Sequence, residues 1–572
     1  MGKKRVVIVG AYLQGIYPRG DNSVVADLLA PAFLKASADA DPEICEKYEI
    51  KILNLPTSLN AEELTSMILS EQPNIIGYSI YIWNYALMHK STEIARRMNP
   101  DLRIIWGGPQ VSYNSVEMMK ANSDVDLIVC GSGETRFRLL LKGGLKTEAF
   151  SEVVGITYRD KRGNIIENKG IINEDLSKVP STYQTNVIDL DDDKSHCVFI
   201  ETSRGCIFRC GYCMWKGDVQ RGLNHFSIDQ VLKDIEIIYN RPNVASVVFT
   251  DACIFYNPTR AKLIMKKILS CKNRIPTIFT LDIAFLNEEL IELLSKLQLS
   301  HQQFLFGMQS INELTLKLMN RRCNFEVFTK KVALLHKINP AAEITFDLIY
   351  GLPGDDFESF KRTVEFALGL SPIKLNCSPL MLLPGSPYWE KKEEHGFVFN
   401  DNPPYAVHSN KYYSAEDMKR THQLVLKIMV VMYFPAIRDI IYKISEKNPK
   451  YQRVELIQKL IEIFESKSDV FIDVTSLNKD KERFIEAYNM IKKSIMDRVA
   501  DPKNCSYMYE AMRELLRDVN SECLADDVLL GIDYYKTMCS KHPSAIKKEY
   551  YEQYNNEKIN RVKFGWVVSA NV

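Results

Sequence analysis

Three cysteines stand close together in the chain, at Cys206, Cys210 and Cys213, separated by three residues and then by two. One short loop with this spacing can supply three thiolates to a single iron–sulfur cluster and leave the fourth iron with an open coordination position. An open iron can bind and activate a small molecule. Structural zinc is the alternative, but it needs a fourth Cys or His nearby, and the next histidine, His225, has no second ligand at zinc-finger spacing.

The run from Cys206 to Cys213, with Tyr212 before the last cysteine, resembles the signature of radical S-adenosylmethionine (SAM) enzymes. The resemblance implies a [4Fe–4S] cluster held by the three cysteines. It also implies that the free iron binds SAM and that Tyr212 lies against the adenine ring.

Strands and helices alternate downstream of residue 196, which predicts a parallel sheet with crossover helices. The candidate strands cover residues 198–202, 246–250, 277–281, 304–309, 343–348 and 374–378. Six such units fit the incomplete (β/α)6 TIM-type barrel that the resemblance implies. Active residues of barrels gather at the carboxyl ends of strands, and the cysteine loop follows the first strand as this rule predicts.

The resemblance implies SAM contacts at the ends of later strands. Thr250 and Asp251 occupy the position where the family holds the amino group of SAM, although the usual Gly-Gly-Glu triplet is absent. Gln309 and Ser310 end the fourth strand. Arg321 lies in a segment that resembles the one whose basic residue reaches the SAM carboxylate.

The first 145 residues also alternate between short β-branched runs and helical periods, which predicts a doubly wound, Rossmann-like parallel sheet. Ligands of such sheets bind outside the carboxyl ends of the strands. The candidate binding residues at those ends are Tyr12, Leu13, Gln14, Gly15, Ser79, Tyr81, Gly107, Gly108, Pro109, Gln110, Gly131, Gly133 and Glu134.

Ser79 and the pair Gly107-Gly108 resemble elements of the cobalamin-binding domain that precedes many radical SAM cores. The resemblance implies that the strand-end residues cradle cobalamin. Many such domains carry Asp-x-His-x-x-Gly after the first strand, and the histidine ligates cobalt. The stretch 10–15 has neither the acid nor the histidine, so we expect no histidine ligand from this loop. The glycines alone would equally fit a flavodoxin-like domain with a nucleotide, or a structural module.

Four segments follow from these patterns. They are a cobalamin-binding domain at 1–145, a hairpin and linker at 146–195, a radical SAM partial barrel at 196–400, and a mainly helical domain at 401–572. The helical domain could form a substrate lid, but ordinary core packing explains its apolar periodicity equally well.

Charge and cysteine content limit the class of protein. The 572 residues include 73 Lys and Arg against 72 Asp and Glu, so a net charge of +1 gives no electrostatic footprint for nucleic acid. Thirteen cysteines in so long a chain favour a reducing compartment over a disulfide scaffold.

The N-terminus does not resemble a signal peptide and no apolar stretch is long enough for a bilayer, so we expect a cytoplasmic protein. Only Cys45 and Cys130 lie in the first domain, which argues against the methylthiotransferase branch of the family.

Together the resemblances imply a cobalamin-dependent radical SAM C-methyltransferase of natural-product biosynthesis or a modification pathway. A 5′-deoxyadenosyl radical would activate an unreactive carbon of a small molecule or peptide, and methylcobalamin would supply the methyl group. A flavodoxin or ferredoxin would donate electrons. Two alternatives stay open: a cobalamin-dependent rearrangement, ring contraction or cyclisation without methyl transfer, and a non-catalytic cobalamin or redox sensor.

Overall fold

The computed structural model describes residues 2–13, 24–215, 223–297, 303–472, 484–499 and 501–519. The chain divides into two compact units. The first unit comprises Met1–Leu281, Glu292–His301 and Leu383–Glu390, and the second comprises Asp282–Ile291, Gln302–Leu382 and Lys391–Val572.

The N-terminal part of the first unit contains eight strands and seven helices within the described ranges. The strands are β1 (Lys4–Tyr12), β2 (Val24–Asp27), β3 (Tyr48–Pro56), β4 (Ile75–Ser79), β5 (Arg103–Gly107), β6 (Leu127–Val129), β7 (Ile156–Arg159) and β8 (Ile165–Asn168). The helices are α1 (Leu29–Asp39), α2 (Pro42–Lys47), α3 (Ala61–Ser70), α4 (Tyr85–Met98), α5 (Pro109–Ser112), α6 (Ser115–Ala121) and α7 (Glu134–Lys142).

Seven of these strands form one sheet in the order β3-β1-β4-β5-β6-β7-β8. The first five are parallel, and the predicted hairpin adds β7 and β8 as antiparallel strands. Alternate residues of β1 enter different cores: Val7 and Val9 lie in one cluster, while Val6 and Ile8 lie in another. Since successive side chains point to opposite faces of a strand, the sheet is buried on both sides, as in doubly wound folds.

The strand order reverses beside β1, because β3 lies on one side of it and β4 on the other. Such a switch point opens a crevice at the carboxyl edge, where ligands of these folds bind. The β-branched run predicts a strand that ends at Val9, but β1 continues to Tyr12, since Gly10, Ala11 and Tyr12 still pair with β3. Strand β3 itself was missed, because its alternating charges obscure the apolar pattern.

The rest of the first unit carries a second sheet in the order β13-β12-β9-β2. Its edge strand β2 comes from the N-terminal part and pairs in parallel with β9. The new elements up to residue 297 are β9 (Ser195–Ile200), β10 (Ser203–Gly205), β11 (Leu223–His225), β12 (Val244–Phe249), β13 (Thr277–Ile278), α8 (Ile228–Tyr239), α9 (Pro258–Ser270) and α10 (Glu288–Lys296).

The second unit contains a parallel sheet in the order β14-β15-β16 and a helical C-terminal part. Its strands are β14 (Gln303–Gln309), β15 (Glu343–Tyr350), β16 (Lys374–Pro379), β17 (Val398–Phe399) and β18 (Val407–Ser409). The remaining helices of the described chain are α11 (Glu313–Leu318), α12 (Phe325–Ile338), α13 (Phe357–Gly369), α14 (Pro387–Glu390), α15 (Lys392–His395), α16 (Ala415–Tyr433), α17 (Pro435–Lys447), α18 (Arg453–Lys467), α19 (Phe484–Val499) and α20 (Pro502–Asp518).

All six strands predicted downstream of residue 196 are present, as β9 and β12 to β16. The helical character predicted for the C-terminal part is present in α16 to α20. Within the described ranges, no helix combines the length and the apolar character needed to cross a membrane. The four segment boundaries predicted from the sequence stay a prediction.

Candidate active site

The cysteine loop begins directly after β10, which forms a short antiparallel pair with β11. Cys210 is buried, and Cys206 and Cys213 are partly exposed. The backbone N–H of Cys213 donates to the carbonyl of Cys210 at 3.1 Å, which closes a tight turn around Gly211 and Tyr212. The loop therefore holds the three thiols on a compact, folded stretch of backbone.

The sulfurs of two cysteines already accept hydrogen bonds. The backbone N–H of Phe208 donates to Cys206 Sγ at 3.4 Å, and that of Trp215 donates to Cys213 Sγ at 3.4 Å. The hydroxyl of Tyr256 lies 3.6 Å from Cys206 Sγ. Donors around the sulfurs suit thiolate ligands, so the donor set fits a [4Fe–4S] cluster. Among the described residues, no three His, Cys, Asp or Glu side chains are placed to hold a single metal ion; in a [4Fe–4S] cluster the three cysteines would bind three different irons.

Tyr388 of α14 covers the middle of the cysteine loop, a contact that sequence reasoning missed. Its backbone N–H donates to the carbonyl of Gly211 at 2.8 Å, and its side chain is 1% exposed. A Cβ atom at Gly211 would lie 2.5 Å from the ring of Tyr388. Glycine is therefore required between Cys210 and Tyr212 so that this ring can approach.

Tyr212, the predicted adenine contact, is half-buried in the same loop. Thr250 follows β12, and its backbone N–H donates to the carbonyl of Ile200 at 2.9 Å. The role of both residues toward SAM stays a prediction.

Asp251 contacts the turn between β9 and β10, which precedes the cysteine loop, and its carboxylate is occupied by hydrogen bonds from that turn. One carboxylate oxygen accepts from the backbone N–H of Thr202 at 3.0 Å, and the other accepts from the hydroxyls of Thr202 and Ser203 at 2.7 and 2.6 Å. Burial raises the pKa of Asp251 to about 6, and these hydrogen bonds oppose the shift. The carboxyl group therefore fixes the turn that leads from β9 to β10, and its predicted contact with the SAM amino group stays a prediction.

Gln309 of the second unit has the features of a residue prepared for a ligand. It ends β14 in the left-handed region with φ of 67°, at a register shift between β14 and β15. Its side chain is 8% exposed, and Oε1 is buried without a hydrogen-bond partner among the residues that the structure describes. Strained backbone and a buried, unpaired acceptor are costly, and both occur preferentially where a ligand completes the site. A polar group such as that of SAM fits this position.

Ser310 and Arg321 flank this position within the second unit. The Ser310 hydroxyl donates to Asp355 at 3.3 Å. Burial raises the pKa of Asp355 to about 7. The Arg321 guanidinium donates to the carbonyl of Gly307 at 2.6 Å and lies 3.8 Å from Asp282. The structure thus brings Gln309 and Arg321 together around Gly307.

The strand-end residues of the seven-stranded sheet form a compact edge. Gly108 has φ of 110°, and a Cβ there would lie 2.4 Å from the carbonyl oxygen of Ile80, so the two loops approach at a distance that requires glycine. The backbone N–H of Ile80 donates to the carbonyl of Gly107 at 2.7 Å, and that of Gln110 donates to Ile80 at 3.3 Å. This packing brings Ser79 to Tyr81 beside Gly107 to Gln110, and the contact of these residues with cobalamin stays a prediction.

Two residues missed from the sequence complete this edge. Asn84 clamps the loop after β4, because its Oδ1 accepts from the N–H of Tyr81 at 2.7 Å and its Nδ2 donates to the carbonyl of Ser79 at 3.0 Å. Trp83 stacks on Tyr81 with ring centroids 4.4 Å apart and is 49% exposed. An aromatic residue and an asparagine shortly after a predicted strand could have identified Trp83 and Asn84 from the sequence.

The other predicted cobalamin contacts that the structure describes lie at the carboxyl ends of strands of the same sheet. Tyr12 ends β1, Leu13 follows it and is 40% exposed, and Pro109 begins α5. Gly131 has φ of 75° after β6. Gln14 and Gly15 lie outside the described residues.

Glu134, the last of these contacts, pairs with Arg204, two residues before Cys206. The guanidinium of Arg204 lies 2.9 Å from Glu134 Oε1 and 2.8 Å from Glu201 Oε2, and it donates to the Ser132 hydroxyl at 3.2 Å. Burial raises the pKa of Glu134, but Arg204 lowers it more, so the net shift is downward. Within the first unit, this ion pair joins the loop after β6, where Gly133 also lies, to the strand that enters the cysteine loop.

Two family models match parts of this chain. The model of the radical SAM superfamily matches residues 200–367, and that of the B12 binding domain matches residues 39–141.

Curated relatives include methyltransferases. The chain is 23% identical over 351 residues to an uncharacterized methyltransferase of Pyrococcus horikoshii, covering 60% of this chain and 75% of that one. It is 25% identical over 230 residues to the 2-(S-pantetheinyl)-carbapenam-3-carboxylate methyltransferase of Streptantibioticus cattleyicolor, and 25% identical over 233 residues to the cobalamin-dependent radical SAM methyltransferase TokK of Streptomyces tokunonensis. These two matches cover 39% of this chain but only 33% of each relative.

Two solved structures share the fold at 16% identity. The cobalamin-dependent SAM radical enzyme OxsB with aqua-cobalamin gives a TM-score of 0.60, covering 93% of this chain and 84% of that chain. The radical SAM methyltransferase TsrM of Kitasatospora setae, with cobalamin and a [4Fe–4S] cluster, gives 0.55, covering 70% and 82%. The predicted fold class is thereby confirmed: a Rossmann-like N-terminal domain, a radical SAM core and a helical C-terminal part.

Proposed function

We propose that this chain, a radical SAM enzyme homologous to cobalamin-dependent methyltransferases, transfers a methyl group to an unactivated carbon of a small molecule or a peptide. Its cofactors are a [4Fe–4S] cluster, SAM and cobalamin. When bound, these groups supply a 5′-deoxyadenosyl radical for hydrogen abstraction and a transferable methyl group.

The chain's own residues hold and shield these groups. Cys206, Cys210 and Cys213 supply the thiolates, and the N–H groups of the same loop donate to two of the sulfurs. Tyr212 packs on the adenine. The buried Gln309 Oε1 accepts a hydrogen bond from SAM, because no described protein group satisfies it. Arg321 stands beside it to interact with the SAM carboxylate.

Cobalamin binds at the carboxyl edge of the seven-stranded sheet. The edge spans the switch point beside β1, where Tyr12 and Ser79 end neighbouring strands. Gly107 and Gly108 allow the backbone to approach the cofactor closely, since neither carries a side chain. The exposed ring of Trp83, which stacks on Tyr81, provides an apolar contact surface at this edge.

The observation that carries this proposal is the ion pair of Arg204 with Glu134. It links the loop after β6 of the cobalamin edge to the strand that enters the cysteine loop, inside one compact unit. Two cofactors held by directly connected loops can serve one reaction, in which the substrate radical and the methyl donor must be adjacent.

Two relatives support a small organic molecule as substrate. TsrM has been solved with a tryptophan substrate, and another relative is named for a carbapenam carboxylate. We therefore expect a small organic molecule or a peptide side chain as the methyl acceptor, and a flavodoxin or ferredoxin as the electron donor.

Counting the products of SAM tests the proposal. The reconstituted enzyme is incubated anaerobically with SAM, cobalamin, a reductant and extracts of candidate metabolites. Methylation gives S-adenosylhomocysteine and 5′-deoxyadenosine in about equal amounts, with a product heavier by one methylene. Formation of 5′-deoxyadenosine without S-adenosylhomocysteine, together with a substrate-dependent product, would refute methyl transfer and indicate a rearrangement.

A further inference from the structure

Tyr256 lies against a sulfur of the cysteine loop. It ends a 3-10 turn, Ile254–Tyr256, that follows β12 in the first unit. Its hydroxyl oxygen is 3.6 Å from Cys206 Sγ, within hydrogen-bonding range of the large sulfur atom. Tyr256 follows β12 of the four-stranded sheet, whereas the cysteine loop follows β10 of a separate two-stranded pair, so the contact is made by the fold and was not visible in the cysteine motif.

One aromatic contact of Tyr256 and one of its neighbour Phe255 hold this turn in place. The ring of Tyr256 meets the ring of Phe208 edge to face, with centroids 5.7 Å apart and an interplanar angle of 88°. The neighbouring Phe255 is fully buried and packs edge to face on Phe279 at 6.0 Å. Such pairs stabilise the geometry beyond their buried area, so the hydroxyl is held rather than free to turn away.

The direction of the hydrogen bond follows from the state of the sulfur. A cysteine that binds iron is a thiolate, which has no proton to donate and can only accept. The Tyr256 hydroxyl is therefore the donor. Cys206 Sγ then receives two hydrogen bonds, from this hydroxyl and from the backbone N–H of Phe208.

We propose that Tyr256 raises the reduction potential of the cluster through this hydrogen bond. Reduction adds one electron from an external low-potential donor, and part of the added charge resides on the cysteine sulfurs. A donor aimed at a sulfur stabilises that charge, and hydrogen bonds to sulfur are among the factors that set cluster potentials. Tyr256 acts through the Cys206 sulfur, so it is a tuning residue.

The test is a potentiometric titration of the reconstituted full-length protein, with dithionite as reductant and the EPR signal of the reduced cluster as readout. Tyr256→Phe keeps the ring and removes the hydroxyl. We expect four irons per chain and a roughly tenfold smaller equilibrium constant for reduction, a shift of about 59 mV to more negative potential for one electron.

Tyr239→Phe is the matched control. Tyr239 is also in the first unit and buried, but its hydroxyl bonds to Thr277 Oγ1 at 2.7 Å. We expect the potential of this variant to equal that of the wild type. A Tyr256→Phe variant with four irons and a wild-type potential would overturn the proposal.

A second variant covers the case in which Tyr256→Phe binds fewer irons. Phe208→Leu keeps the hydroxyl and the backbone donor but removes the ring that orients Tyr256. We expect a smaller shift in the same direction, and an unchanged potential would count against the inference. The inference rests on Cys206 as a cluster ligand, which iron loss in Cys206→Ala tests separately. The titration needs no methyl acceptor, so a failure of methylation would be distinguishable from a failure of this inference.

Discussion

Gly211 shows how one missing side chain can decide whether the cysteine loop folds. The ring of Tyr388 occupies the space that a Cβ atom would need, at 2.5 Å. Contacts this short cannot be relieved by a small rotation, because Tyr388 is buried and its backbone is bonded to the carbonyl of Gly211. An added methyl group must displace either the ring or the loop.

We predict that Gly211→Ala loses most of the cluster. The iron content of the reconstituted protein should fall at least twofold, measured together with the absorbance of the cluster. Gly77→Ala is the control, since a Cβ at Gly77 meets no atom within 4 Å. Equal iron content in the two variants would show that Tyr388 does not hold the loop.

Asp251 predicts a pH dependence of stability. Burial raises its pKa from 3.8 to about 6, so the folded state favours the protonated acid. The contribution of Asp251 to the free energy of unfolding is complete below its unfolded pKa of 3.8 and is lost as the pH rises through about 6. The full loss is about 3 kcal/mol. In Asp251→Asn the amide donates to the hydroxyls of Thr202 and Ser203 and cannot ionise.

The measurement is the free energy of unfolding in urea at pH 5 and pH 7.5. The wild type should lose stability relative to Asp251→Asn over this interval. Parallel pH profiles for the two proteins would show that the carboxyl group does not titrate in that range.

At the scale of elements, Arg204 and Glu134 tie the start of α7 to β10. The two side chains are 20% and 6% exposed, and Arg204 also pairs with Glu201 at 2.8 Å, so removal of the Glu134 charge leaves Arg204 with one of its two carboxylate partners. Breaking a buried pair from one side costs about 3–5 kcal/mol, whereas an exposed pair contributes about 0–1 kcal/mol.

Because Arg204 keeps its pair with Glu201, we expect Glu134→Gln to lower the free energy of unfolding by roughly 1–3 kcal/mol, less than the full cost of an unpaired buried charge, and to speed iron loss to a chelator. Asp39→Asn is the control, because it breaks an exposed pair with Lys35 in the same unit. If both variants release iron at the wild-type rate, the link between the two loops has no part in holding the cluster.

Strands β2 and β9 are joined by a second buried charge cluster. His196 Nδ1 lies 2.8 Å from Asp27, and its Nε2 lies 2.6 Å from Asp192. Burial lowers the pKa of His196, but the hydrogen bonds and charges of the two carboxylates outweigh it and raise the pKa to about 9. The imidazolium therefore stabilises the pairing of the two strands at neutral pH.

A folded pKa above the unfolded value gives stability that is complete below about pH 6.5 and is lost as the pH rises through about 9. We predict that hydrogen-exchange protection of β9 amides falls between pH 7 and pH 9.5 by up to about 3 kcal/mol after correction for intrinsic rates. His196→Gln should remove this dependence. If protection of the β9 amides in His196→Gln falls with pH as it does in the wild type, other titrating groups cause the loss.

At the scale of the whole molecule, the two cofactor sites should be separable. The cores of the seven-stranded sheet are formed by residues up to Ile165, while the cysteine loop contacts Tyr256 and Tyr388, which lie later in the chain. We predict that the triple Cys206, Cys210 and Cys213→Ala variant binds no cluster but retains about one cobalamin per chain after desalting, measured by its visible absorbance. Loss of both cofactors would show that cobalamin binding requires the loaded cluster loop.

Sequence patterns predicted the architecture where each element carries its own signal. The β-branched runs of β4 and β5 and the cysteine spacing needed no tertiary information. The contacts of Tyr388, Tyr256 and Arg204 could not be predicted, because each joins two residues that are at least 50 positions apart and lie in no recognisable motif together. Strand β2 was missed for a similar reason: four residues have no periodicity to read, and their partner is β9.

The pairing of β2 with β9 also limits how this protein can fold during its synthesis. Val24 is in register with Ser195, so β2 cannot pair with β9 until the ribosome has added the intervening 170 or so residues. At ~5–20 residues per second this wait is ~10–30 s. During that time the nascent chain exposes an unpaired segment, and a chaperone that binds short extended peptides would find its target there.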